Sequence, residues 1–149
     1  LFNGNHIFKQ LTRLKLGECH SIDDVCIQSM IKMYVITFDW AKNFIFISFL
    51  SRCPRLTDFS CTWAYNLTDE SFNEIVIHCQ YLRRLSLVGC HLIRGQILND
   101  VPWKYLFQIE YFNFEHCNKI DDEVLVELYR RKHSLIIYDY YGSRVDENG

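Results

Sequence analysis

Residues 82–90, LRRLSLVGC, decide how this chain is read. Leu82, Leu85 and Leu87 are apolar at steps of three and two, and Cys90 closes the unit three residues later. Working outward, the same spacing returns as Leu56, Phe59, Cys61, Ala64 and as Leu11, Leu14, Leu16, Cys19 on one side, and as Ile109, Phe112, Phe114, Cys117 on the other. A looser copy reads Met33, Ile36, Phe38, Ala41, and a partial one, Leu135, Tyr138, Tyr140, closes the series. First positions stand at 11, 33, 56, 82, 109 and 135, so the steps run from 22 to 27 residues.

Within each copy the apolar-x-apolar centre has the period of two that belongs to a strand, so Leu14 and Leu16 face one way while Arg13, Lys15 and Gly17 face the other. One such unit buries almost nothing alone. Side by side, the units form a parallel sheet whose apolar face meets the returning helices, and a continuous core exists only when several neighbours stack. Steps of this length fall within the roughly 20–29 residues of a leucine-rich repeat. The expectation is an α/β leucine-rich-repeat solenoid, a curved arc with parallel strands on its concave side and helices on its convex side. It spans residues 1–149 as one domain, divided near 11–32, 33–55, 56–81, 82–108, 109–134 and 135–141.

The chain has 149 residues, 49% hydrophobic and 15% aromatic, enough for a core of this kind, and a formal net charge of −2. That balance argues against nucleic acid and membrane surfaces as partners. The most apolar window, residues 31–50, contains Lys32, Asp39 and Lys42, which disfavours a spanning helix. The opening LFNGNHIF is apolar enough to be the end of an earlier repeat, so the chain reads as a fragment with a region upstream of Leu1. After the last strand it turns at Gly142 into the polar run 143–149, which is placed to blunt the final sheet edge.

Seven cysteines, an odd number, do not read as a disulfide framework and favour an intracellular, reducing setting, cytoplasmic or nuclear. Cys19, Cys90 and Cys117 share one repeat position, while Cys53 and Cys79 precede the next unit's strand; small buried residues at a tight corner account for them. The neighbours Cys19-His20, His78-Cys79, Cys90-His91 and His116-Cys117 raise a metal reading. No two cysteines stand two to four residues apart, however, and adjacent residues in extended chain point to opposite faces. Neither a metal nor another cofactor is expected, and the histidines do not form a nucleophilic pair with cysteine.

A second element follows the cysteine position. Ile22-Asp23-Asp24, Leu67-Thr68-Asp69 and Ile120-Asp121-Asp122 each put a hydroxyl or acid before a helical pattern, where it caps the first N–H groups. Phe72, Ile75 and Val76 then mark one helix, and Leu125, Leu128 and Tyr129 another that ends in the basic run Arg130 to Lys132, read as a solvated helix end. In the fourth copy Arg94-Gly95 replaces the capping pair and Pro102 interrupts soon after. In the second, Phe44 stands at the isoleucine position and no cap follows.

LTRLKLGECHSIDD, CPRLTDFSCTWAYNLTDESF, CQYLRRLSLVGCHLI and IEYFNFEHCNKIDDEVL together resemble the cysteine-containing leucine-rich repeat, in which cysteine-proline opens the unit and cysteine-x-x-isoleucine-threonine-aspartate closes it. That subtype is typical of F-box/leucine-rich-repeat proteins, the substrate receptors of SCF ubiquitin ligases. The resemblance covers about five repeats between Leu11 and Tyr141. It implies a protein-protein interaction module that recognises a substrate for an SCF-type ubiquitin ligase and is not itself an enzyme. Skp1 and cullin would be engaged only through an upstream F-box, to which nothing in this sequence corresponds. The same strings suit a second reading: a non-ligase scaffold or assembly factor similar to the mitochondrial ATP synthase coupling factor B group, with mitochondrial location.

Repeat geometry places a protein or peptide partner on the outward strand residues. These are Arg13 and Lys15, Thr37 and Asp39, Asp58 and Ser60, Arg84 and Ser86, then Tyr111, Asn113 and Glu115, and finally Ile137, Asp139 and Tyr141. Arg84, Tyr111 and Tyr141 are the expected anchors, since arginine and aromatic side chains dominate interface hot spots. Arg13, Lys15 and Arg84 are also placed to meet a phosphate. Trp63 and Tyr65, just past the third strand, either extend this patch along its rim or cover the core at an irregular loop.

Overall fold

Alternating side chains make the strands, and their apolar halves fix which face is buried. The computed structural model describes residues 10–18, 20–32, 55–100 and 102–147. Among them are β1 (Arg13–Leu16), α1 (Asp24–Lys32), β2 (Asp58–Cys61), α2 (Asp69–His78), β3 (Arg84–Ser86), α3 (Ile97–Asp100), α4 (Trp103–Leu106), β4 (Tyr111–Asn113), α5 (Asp122–Arg131) and β5 (Ile136–Tyr138). The architecture is α/β: the five strands form one parallel sheet in chain order. No helix among the described residues is long and apolar enough to cross a membrane.

The register lines up equivalent side chains. Leu14, Phe59, Leu85, Phe112 and Ile137 stand opposite one another across the sheet, and from Phe59 onward all are buried. Ile27 of α1, Phe72, Ile75 and Val76 of α2, Leu98 of α3, Leu106 of α4, and Leu125 and Leu128 of α5 complete the same core. Leu14 and Leu16 on the outermost strand are only partly buried, since β1 has a strand neighbour on one side within this sheet. Phe72 stands at the middle of the core. Its ring meets Phe112 at 6.5 Å and Phe114 at 6.0 Å, both edge to face, which ties α2 to the strand two positions away.

Two expectations about the sheet are corrected. β1 pairs directly with β2, Arg13 opposite Asp58 and Leu16 opposite Cys61, so no strand of the copy expected over 33–55 stands between them. That copy, Thr37 and Asp39 included, lies outside the described residues except for Arg55.

The second correction concerns β5. The structure puts Leu135 and Ile137 inside, both buried, rather than Leu135, Tyr138 and Tyr140. Leu135 begins the unit as Ile109 does, its N–H bonding the carbonyl of the preceding turn, but one residue fewer separates it from the strand. A one-residue change exchanges the faces of every following side chain. Ile136 and Tyr138 are therefore outward, beside Tyr111 and Asn113. Asp139 has left the strand to close a turn: its Oδ1 accepts from the N–H groups of Tyr141, at 2.9 Å, and Ser143, at 2.7 Å. The chain then folds back, Tyr138 bridging Arg144 in antiparallel sense and the Val145 N–H reaching the Ile137 carbonyl at 2.9 Å, which covers the last strand.

Helix starts follow the cap chemistry. Thr68 Oγ1 accepts from the Glu70 N–H and Asp121 Oδ1 from the Glu123 N–H, while Asp23 Oδ1 receives the Cys26 N–H at 2.8 Å. That last bond holds the Asp23 carboxyl below its ordinary pKa. In the first two pairs the second residue, Asp24 or Asp69, has another task. Asp24 reaches the next unit, accepting from the Thr68 N–H at 2.8 Å and from the Thr68 hydroxyl at 2.5 Å, and Asp69 Oδ1 accepts from the N–H groups of Arg94 and Gly95 at 2.8 and 3.0 Å. These carboxylates join neighbouring units through donors that would otherwise be orphaned at loop and helix starts.

Replacing Asp24 with alanine is expected to cost about 1–3 kcal/mol, the penalty of leaving two partly buried donors of Thr68 without an acceptor. Urea unfolding checks it, and Asp24→Asn, which keeps one acceptor oxygen, should lose about half as much. Equal midpoints for all three proteins would rule the link out.

Pro102 separates the one-turn helices α3 and α4. The end of α5 departs from the solvated basic run expected of it. Lys132 Nζ donates to the carbonyls of Phe107 and Ile109 at 2.8 and 2.6 Å, and burial holds its amine below the ordinary lysine pKa against the opposing pull of Glu110.

Candidate protein-binding surface

The outward face of the sheet is built by the odd members of each strand pattern. Two columns cross it: Arg13, Asp58, Arg84, Tyr111, Ile136, and Lys15, Ser60, Ser86, Asn113, Tyr138. Of the outward residues expected from the sequence, Arg13, Lys15, Asp58, Ser60, Arg84, Ser86, Tyr111 and Asn113 share this face, with Glu115 just beyond β4. Thr37 and Asp39 are outside the described residues, Ile137 is core, and Asp139 and Tyr141 sit in the turn after β5.

The charges on this face are largely paired with each other. Arg84 Nε donates to Asp58 Oδ1 at 2.5 Å, Arg13 Nε lies 3.8 Å from Asp58 Oδ2, and the Thr57 hydroxyl donates to the same carboxylate at 2.7 Å. Burial pushes the Asp58 carboxyl upward, but the Thr57 hydrogen bond and the two guanidinium groups outweigh it and hold the group below its ordinary value. Two of the three cations considered for a phosphate are therefore committed to a carboxylate. Next to them Tyr111 and Tyr138 lie 5.7 Å apart, and Asn113 accepts from the Glu115 N–H while its amide donates to the Tyr111 hydroxyl at 3.4 Å. The face is polar, with Arg13, Lys15 and Arg84 grouped around Asp58, and aromatic on the β4–β5 side.

A second feature lies in the loops that leave the strands. In the first four described units the residue before the cysteine position is left-handed: Glu18 with φ 50°, Trp63 with 57°, Gly89 with 71° and His116 with 62°. That bend turns the chain off the sheet while its N–H still reaches the next unit, Trp63 to the Val88 carbonyl, Gly89 to Glu115 and His116 to Tyr140 at 2.8, 2.8 and 2.9 Å. Sulfur and ring then diverge. Cys117 Sγ donates inward to the Leu87 carbonyl at 2.8 Å and Cys90 Sγ to Cys61, and burial pushes the Cys117 thiol up to about 12. The neighbouring rings go outward.

They meet in an unbroken series. His20 stacks on Tyr65 at 5.0 Å and Tyr65 on His91 at 5.5 Å; Trp63 adjoins Tyr65 and His91 and stacks on His116 at 5.4 Å; His116 meets Tyr140 at 5.8 Å. His20 Nδ1 also bonds the Trp63 carbonyl at 3.1 Å, which requires the proton on that nitrogen because a carbonyl only accepts. Trp63 and Tyr65 thus form a rim, Tyr65 being 43% exposed. The histidines of this ridge were not among the expected site residues. Their signal was the position shared by His20, Tyr65 and His91, directly after the cysteine or alanine.

Comparison with protein-family models gave no match, and neither did comparison with curated proteins.

Proposed function

We propose that the chain is a leucine-rich-repeat solenoid, a curved arc with its strands on the concave side, and that it acts as the substrate-recognition part of an SCF-type ubiquitin ligase. The observation that carries this reading is the match between repeat and sheet. Sequence units at 11, 56, 82, 109 and 135 supply consecutive parallel strands, and the face they leave uncovered is polar and aromatic. A broad face of that kind fits a folded protein or a peptide rather than a small molecule. Substrate contacts centre on Arg84, Tyr111 and Tyr138, with Asp58 orienting Arg84.

The test is affinity capture of the full-length protein from cells, scored by mass spectrometry for Skp1 and cullin. Recovery of both supports the ligase reading, and the Arg84→Ala, Tyr111→Ala double variant should keep them while losing substrate proteins. A stable capture without either, dominated by respiratory-chain proteins, overturns it in favour of the assembly-factor reading. Unchanged substrate capture by the folded double variant overturns the strand-face assignment.

A further inference from the structure

The strand face divides into two halves of different chemistry. On β1–β3 its columns hold Arg13, Asp58 and Arg84, then Lys15, Ser60 and Ser86: three cations and one carboxylate, a local charge of +2 on a chain whose net charge is −2. On β4–β5 the same columns hold Tyr111, Asn113, Ile136 and Tyr138, none of them charged. Glu115 bounds that half just past β4, its Oε1 3.8 Å from His116 Nε2.

Pairing with Asp58 leaves most of the cationic donors open. Arg84 bonds that carboxylate through Nε, and Arg13 Nε at 3.8 Å is beyond hydrogen-bond distance, so both guanidinium groups keep their terminal N–H groups for another acceptor. The side chains of Arg84 and Arg13 are 55% and 70% exposed, and Lys15 is exposed as well. Asp58, at 17%, fixes the two guanidinium groups while contributing little to the surface a partner meets. Neighbouring strands stand about 4.8 Å apart, so about 12 Å separates β2, where those groups converge, from the Tyr111–Tyr138 pair between β4 and β5. An extended chain covers that distance in about four residues, at roughly 3.3 Å each.

We infer that this face docks an extended segment of the substrate protein in which neighbouring acidic residues stand about four positions from a bulky apolar one, the carboxylates on Arg13, Lys15 and Arg84 and the apolar side chain on Tyr111 and Tyr138. Carboxylates spread along a segment suit the basic half better than a phosphate dianion, whose concentrated charge would stand against Asp58 where the guanidinium groups converge. Three cations on a face bounded by Glu115 also make a poor track for a nucleic-acid backbone. The inference rests on the strand-face reading above and adds the chemical class of the substrate.

The test titrates the full chain with a fluorescent peptide in which a glycine-serine-glycine spacer joins paired glutamates to a phenylalanine. Its glutamine version, its phosphoserine version, a version without the spacer and oligothymidine serve as comparisons. Anisotropy gives affinity, and proton–nitrogen spectra locate the contact. The glutamate peptide should bind about tenfold more tightly than the glutamine peptide, lose affinity as salt rises, and shift resonances on β1–β5. Removing the spacer should cost about fivefold, and Lys15→Ala, Arg84→Ala and Tyr111→Ala about threefold to tenfold each. Lys119→Ala, which removes a cation away from this face, should change nothing. Lys15 is exposed and makes no bond to another side chain among the described residues, so its replacement leaves the fold intact. Equal affinity for the glutamine peptide, with shifts on β1–β5, would overturn the acidic class and leave the strand face as the binding surface; shifts confined elsewhere would overturn both. No binding of any peptide, or tighter binding of the phosphoserine peptide or oligothymidine, would overturn the inference alone, because capture of Skp1 and cullin is scored separately.

Discussion

Gly89→Ala is expected to destabilise the protein by about 2–5 kcal/mol and to lower its melting temperature by about 5–15 °C. Two costs combine. Gly89 has φ 71°, where an L side chain costs roughly 1–2 kcal/mol, and a Cβ would stand 2.3 to 2.7 Å from three atoms of the Trp63 ring, an overlap that adds about 1–3 kcal/mol. The contributions separate in a double-variant cycle, because Trp63→Ala removes the clash and leaves the backbone strain. The pair should therefore be more stable than the sum of the single changes predicts, with the Trp63–His116 stack lost in all three variants. A melting temperature for Gly89→Ala equal to the parent's would mean that the indole does not lie across this loop.

Phe72→Ala carries a cost of similar or greater size, about 3–5 kcal/mol. The ring is fully buried and contacts Phe112 and Phe114 edge to face, so its removal leaves a cavity between α2 and β4 that Phe112 on the strand and Phe114, hydrogen-bonded just after it, cannot close. Phe72→Leu, which refills most of the volume, should lose only about 1–2 kcal/mol. Urea denaturation measures both. Little difference between alanine and leucine would show that the site collapses, and that Phe72 does not hold α2 to a strand two positions away.

The two predictions mark different depths of legibility. Phe72 belongs to an apolar helical pattern, with Ile75 and Val76, that any reader of residues 69–78 would place in a core. Gly89 precedes a cysteine in a way that looks unremarkable until Trp63, 26 residues earlier, is seen to cross it. The strand face was legible in part: eight outward residues were assigned from period two, but their mutual pairing was not, and Arg84 proved to be tied to Asp58. The reversal at β5 came from one missing residue between Leu135 and the strand, a change too small to alter composition and large enough to exchange two faces.

By itself the sequence determined the parallel α/β layout of four full units, the buried column of Phe59, Leu85 and Phe112, and the caps at Thr68 and Asp121. These depend on local spacing: alternation along a strand, and side chains bonding N–H groups two residues away. The tertiary structure alone decided that β1 joins β2, that Asp24 bonds Thr68 across 44 positions, and that His20, His91 and His116 form a ridge with Trp63 and Tyr65. Those contacts depend on which units become neighbours, and no local pattern encodes the distance between residues that meet only after the sheet has formed.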